Sequence, residues 1–171
     1  MKKILTILLT AYLLLSLAAC GGAPVENPTP SQEVTYTPEQ NFSFQYKGVT
    51  ISLHDAAEPI IAKLGEPVKY TESASCAFEG LDKSYYYGSF YLETYPNGDK
   101  DFVSGWWFAD DSVTTAEGIY IGSAQAEVEK AYGAEAYNGS NAYTVTKEAG
   151  VLTVILENGV VSSIQYAMKL G

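Results

Sequence analysis

Two stretches, ISLHDAAEPIIAKLGEP at residues 51–67 and IYIGSAQAEVEKAYGAE at residues 119–135, are spelled alike 68 positions apart. Aligned without a gap, Ile51 falls on Ile119, Leu53 on Ile121, Ile60 on Val128, Leu64 on Tyr132 and Gly65 on Gly133. Each reads as a short helix with its start and stop written in. In the first, Asp55 is a good N-cap and Glu58 stands three residues on to complete a capping box, with Pro59 still in the first turn. Ala57, Ile60, Ile61 and Leu64 follow at i, i+3, i+4 and i+7, one apolar face. Gly65 closes the helix and Pro67 prevents its continuation. In the second, Ser123 is the expected cap, Ala124, Val128, Ala131 and Tyr132 form the face, and Gly133 is the stop. About three turns are too few to stand without tertiary packing.

Each helix is followed by strand-like text, SYYYGSFYLETYPNGDKDFVSGWWF at 84–108 and GVLTVILENGVVSSIQYAM at 150–168. Both carry Asn-Gly between apolar runs, Asn97-Gly98 and Asn158-Gly159, and a type I′ hairpin turn favours that pair because both central residues need positive φ. SCAFEG (75–80) and NAYTVTKE (141–148) are candidate strands leading into the hairpins. The fold class expected is α+β: two tandem units, 46–118 and 119–171, each a short helix packed on one face of its own antiparallel sheet.

The repeat, with Gly65, Pro67, Gly133 and the two Asn-Gly turns, resembles two families. One is the small lipoprotein of the outer-membrane barrel-assembly machinery, which carries such a unit once. The other is the secreted β-lactamase inhibitory proteins, in which two units pack in tandem. The resemblance implies a protein-binding role, inhibitory in the second family and a structural part of envelope assembly in the first. It also implies an internal disulfide in each unit of the inhibitors, which this chain cannot form, and no residue matches an inhibitory contact.

Upstream, the chain opens with MKK, an apolar stretch from Ile4 to Ala19 and then Cys20. A charged start, an apolar core shorter than a membrane span and small residues before a cysteine make a secretory signal. Leu17-Ala18-Ala19-Cys20 resembles the bacterial lipobox, which implies that residues 1–19 are removed and Cys20 is acylated. An ordinary signal peptide or a short anchor helix is the plainer alternative. The expected address is the extracytoplasmic face of a cell membrane, held by lipid. Residues 20–45, with four prolines and many polar residues, read as a tether, about 25–30 Å in root-mean-square span. Phe42, Phe44 and Tyr46 could dock as an edge strand.

Without residues 1–19 the chain keeps 8 lysines against 20 acids and no arginine, a formal charge of −12. Phosphate backbones are usually held by Lys and Arg, so nucleic-acid binding is excluded. Anionic headgroups are equally disfavoured, leaving the lipid on Cys20 as the membrane contact. With Cys20 acylated, Cys76 has no partner for a disulfide.

Catalytic signals are sparse. His54 is the single histidine, and beside Asp55 at a helix start it reads as a surface residue near a cap. A Cys76–His54 nucleophilic pair is the sharp alternative, since a thiol needs a nearby base. Burial of Cys76 as a small apolar strand residue is the plainer reading. One histidine makes a hydrolytic zinc site unlike this sequence. The acids of NGDKD (97–101) and ADD (109–111) suit calcium chemically but lack EF-hand spacing, and solvated loop acids are the simpler account. Phosphate loops, nucleophile elbows and dinucleotide fingerprints are missing. No enzyme, metal or cofactor is expected.

The aromatic content is the remaining oddity, with 14 tyrosines and both tryptophans in the first unit. If Asn97-Gly98 is a plain two-residue turn, Tyr91 faces Ser104 and Ser89 faces Trp106. One face then carries Tyr85, Tyr87, Tyr91, Tyr95, Phe102, Trp106 and Phe108, and the other Tyr86, Phe90, Leu92, Val103 and Trp107. Neither is polar, as a solvent-facing sheet would be. The helices can cover only one face, so segment 35–46, a second copy or a partner must cover the other. The expected partner-binding residues are Tyr85, Tyr87, Tyr91, Glu93, Tyr95 and Trp106, and the expected partner is an extracytoplasmic protein. Three functions are then in play: a binding or inhibitory module, an envelope-assembly scaffold, and, most distantly, a Cys76-dependent enzyme.

Overall fold

The computed structural model describes residues 35–170; the expected leader, Cys20 and the expected tether up to residue 34 lie outside the described residues. The chain opens with a hairpin, β1 (Ser43–Tyr46) and β2 (Val49–Ser52), followed by α1 (Ala57–Leu64). Strands β3 (Lys69–Ala74), β4 (Leu81–Tyr86), β5 (Phe90–Asn97) and β6 (Lys100–Phe108) come next. Then α2 (Gln125–Tyr132) and a 3-10 turn (Ala134–Ala136) precede β7 (Ala142–Thr146), β8 (Gly150–Glu157) and β9 (Val160–Met168).

Strands β3 to β9 form a single antiparallel sheet in the order β3-β4-β5-β6-β9-β8-β7. This corrects the expectation of two tandem helix-on-sheet units, since 46% of the described residues are strand and 14% helix, and one seven-stranded sheet spans both copies of the repeat. The physical reason lies at the centre. Each second hairpin strand, β6 and β9, would be an open edge in a separate unit, and unpaired edges are a liability. The two edges pair instead, Gly105 with Ala167, Trp106 with Tyr166 and Trp107 with Gln165. Gly105 permits it, because a Cβ there would sit 2.3 Å from the Tyr166 carbonyl oxygen.

The core is shared across the seam. Leu92 on β5, Trp106 on β6, Tyr166 on β9 and Leu152 on β8 lie side by side, all buried. Trp106 stacks on Tyr166 with ring centroids 4.6 Å apart. Ile60 of α1 and Val128 of α2 reach the same core, so both helices lie on one face.

The β1–β2 hairpin completes that cover. Its turn, Lys47-Gly48, has positive φ at both residues, the I′ pattern. Phe44 meets Phe90 edge-on at 4.9 Å and lies over Trp106 at 5.2 Å, while Phe42 meets Tyr166 at 5.4 Å. The expected edge strand is therefore a separate two-stranded hairpin laid on the sheet face, and ordered structure begins before residue 46.

The repeat survives as local geometry. His54 N–H donates to the Val103 carbonyl and Val103 N–H to the Asp55 carbonyl, both at 2.9 Å. In the second copy Gly122 N–H donates to Val161 and Val161 N–H to Ser123, both at 2.8 Å. Each helix lead-in thus zips onto the far end of one central strand, which explains why the same text occurs twice. His54 and Gly122 occupy the equivalent position with φ of +64° and +108°. Glycine reaches that region freely, and histidine is among the residues that tolerate it.

Both helices stop where expected, at Gly65 and Gly133, whose N–H groups donate to Ile61 and Glu129. Their starts fall one residue later than expected, with Ala56 and Ala124 at the caps, because the backbones of Asp55 and Ser123 are engaged by Val103 and Val161. The Glu127 carboxylate still accepts from Ala124 N–H at 2.8 Å, the half of a capping box that an alanine can share.

Candidate functional site

Helices and hairpin occupy one face of the sheet, and the strands alternate accordingly: β5 is buried and half-buried by turns from Phe90 to Asn97. The second face has no covering element among the described residues. Successive partners place Lys69, Tyr86, Tyr91, Trp107, Gln165, Thr153 and Thr144 in one row across it, on β3, β4, β5, β6, β9, β8 and β7. Tyr86 and Tyr91 stack at 4.4 Å with planes 24° apart, and Tyr91 and Trp107 at 4.5 Å and 19°. Three half-buried rings form a continuous ladder. The strands of the first copy supply the aromatic side of this face and those of the second a threonine and glutamine side.

The neighbouring row runs Thr71, Ser84, Glu93, Gly105, Ala167, Val151 and Thr146. Its two smallest members adjoin at the seam, so the surface dips there. The dip is a groove of about 310 Å³ lined by Phe78, Asp82, Glu93, Tyr95, Trp107 and Gln165 among others. Phe78, from the β3–β4 loop, packs on Tyr95 at 4.8 Å. Burial pushes the Glu93 carboxyl above the usual carboxylate range, a hydrogen bond with Ser84 opposes this, and the charge of Asp82 adds to it.

Of the six residues expected to form a binding surface, Tyr91, Glu93 and Tyr95 lie on this open face. Tyr85, Tyr87 and Trp106 do not. Tyr85 lies opposite Leu92 on the covered face, Tyr87 is buried, and Trp106 is 0% exposed. Tyr86 and Trp107 stand in their place. Two local events account for the exchange. The run from Tyr85 to Tyr95 is not one strand: Gly88 adopts φ +92° and Tyr87 N–H donates to Phe90, a tight turn that sets Tyr86 against Tyr91. Further on, the β5–β6 turn is Gly98-Asp99 rather than Asn97-Gly98, and a register shift follows at Glu93/Thr94. Together they move the partner of Tyr91 from Ser104 to Trp107, an odd displacement, which exchanges the faces of β6. The extra glycine signal was legible in YYYGSF; the register shift had no sequence mark.

His54 is not a free surface residue. Its Nε2 donates to the Ala149 carbonyl, which can only accept, at 3.0 Å, and its Nδ1 shares a hydrogen bond with the Tyr95 hydroxyl at 3.2 Å. Both ring nitrogens are thereby engaged, and neither is paired with Cys76. Cys76 itself is exposed in the β3–β4 loop, where burial in a strand was expected. SCAFEG forms that loop rather than a strand. Of the loop acids, Asp101 pairs with Lys83 at 2.6 Å and Asp110 accepts from Ser112 N–H at 2.9 Å. Among the described residues no helix is long and apolar enough to cross a membrane. No family model matches the chain, and neither a curated protein nor a solved structure matches it.

Proposed function

We propose that the protein is a lipid-anchored, extracytoplasmic protein-binding module that works through the open face of its sheet. The observation that carries this reading is the Tyr86–Tyr91–Trp107 ladder, three large rings held half-exposed on a face that no element among the described residues covers. Tyr and Trp provide large rigid contact area with little side-chain entropy to lose, and they dominate binding hot spots. The placement of the anchor rests on the lipobox-like sequence before Cys20. Inhibition of an enzyme outside the membrane is the form of binding that the resemblance to the β-lactamase inhibitory proteins implies.

The test is photo-cross-linking of the full chain in its own membrane, with benzoylphenylalanine placed at Gln165, beside Trp107, or at Glu129, exposed on α2. A discrete protein adduct from position 165 and none from position 129 is the expected result. Adducts from position 129 alone, or from neither, would overturn the reading.

A further inference from the structure

We propose that the groove at Gly105 receives a lysine or arginine side chain of the partner protein. This rests on the reading that the open face binds a protein, and it names the chemistry of the contact. The groove combines two features that suit an organic cation. Its lining is rich in aromatic rings, Trp107 among them and Phe78 packed on Tyr95. Its acids are Glu93 and Asp82, and burial first and the charge of Asp82 second disfavour the charge on Glu93. Aromatic faces attract a cation through their quadrupoles, and a carboxylate beside them holds its N–H groups.

Among the described residues, the chain does not fill the groove with a cation of its own. No lysine among the described residues lines it. Lys83, one strand away, is committed to Asp101 at 2.6 Å and lies opposite Thr94, whose side chain is buried in the covered face. The small residues Gly105 and Ala167 supply depth for an incoming stem, and a half-desolvated Glu93 with a second acid beside it gains most from an arriving positive charge. The whole chain carries −10, so a basic partner surface is also drawn in at long range.

The experiment uses the full chain in neutral detergent micelles with ¹⁵N-labelled tryptophan indoles. Both tryptophans border the groove, but the Trp106 ring is 0% exposed and stacked on Tyr166 in the core, so its indole is the internal control for that of half-buried Trp107. The probe is the tripeptide acetyl-Gly-Arg-Gly-amide, compared with the same peptide bearing citrulline, which keeps the shape and loses the charge. Saturable movement of the Trp107 indole resonance with the arginine peptide, a still Trp106 resonance and no response to citrulline are expected. Glu93→Gln should weaken the arginine peptide by about fivefold. Equal responses to both peptides, no response, or undiminished affinity in Glu93→Gln would overturn the inference. So would sedimentation showing a dimer that the arginine peptide dissociates, since a second copy would then be the occupant. A chain that still gives the position-165 adduct but fails the peptide titration loses this inference and keeps the broader reading; loss of the adduct removes both.

Discussion

Trp106 and Trp107 are adjacent in the chain and lie on opposite faces of one sheet, the first stacked on Tyr166 in the core and the second on Tyr91 in the open. Alternation along a strand requires that two neighbours part in this way. The two residues therefore differ in surroundings, one packed in the core and the other half-buried on the open face.

Trp106→Ala should therefore cost about 3–5 kcal/mol of stability, as deletion of a buried ring does. Trp107→Ala removes a half-exposed stacking partner and should cost about 1 kcal/mol, while abolishing the adduct from position 165. Denaturant titration of the two variants side by side measures the difference. Equal costs would place both rings in packed surroundings.

Gly105→Ala tests the seam. The added methyl would meet the Tyr166 carbonyl oxygen at 2.3 Å, an atom of the backbone that cannot swing aside. Loss of about 1–3 kcal/mol is expected, typical of overpacking. Amide exchange at Trp107 and Gln165, partners across the seam, should accelerate more than exchange in β8. A neutral substitution would show that β6 and β9 are held less closely.

Phe44→Ala probes the hairpin that closes the covered face. Phe44 touches Phe90, Trp106 and Phe108, and it is 2% exposed. Its removal should cost about 3–5 kcal/mol, although it lies in a segment whose composition resembles a tether. A thermal melt unchanged from the parent chain would mean that the hairpin adds little to the core.

The pH dependence of stability follows from Glu93. Burial raises its carboxyl, so the folded chain binds more protons than the unfolded chain between the two pKa values. Stability should decline as pH rises through that window, just above the ordinary carboxylate range. Asp55, raised by burial as well, acts with the same sign. Glu93→Gln should accordingly flatten the decline just above the ordinary carboxylate range without removing it. A steeper decline in the variant would show that Glu93 is held ionised by a favourable partner.

The cysteines give a chemical check. Cys20→Ser should yield an unprocessed chain without lipid label, whereas a mature labelled chain would exclude Cys20 as the acylated residue. Cys76, exposed in its loop, should react with a maleimide in the native protein as fast as after denaturation. Strong protection would mean that the β3–β4 loop is closed.

Several features were legible in the amino-acid sequence because they depend on residues within a few positions of one another. Both helices, their stops at Gly65 and Gly133 and the Asn158-Gly159 turn with two positive φ angles are of this kind. A cap or a two-residue turn is decided by which residues can adopt its backbone angles and satisfy its N–H groups.

The union of the repeats into one sheet, the hairpin folded over its face and the choice of the exposed tryptophan were decided only in three dimensions. Asn97-Gly98 and Gly98-Asp99 are chemically similar candidates for a turn, yet the chain uses the second and then shifts register at Glu93/Thr94. Because strand side chains alternate with a period of two, an odd displacement reverses every face assignment beyond it. What selects between the registers is the fit of Trp106 against Tyr166 and Phe44 and the close passage of Gly105 past β9. Those partners lie roughly 60 residues away in both directions, and no local pattern encodes them.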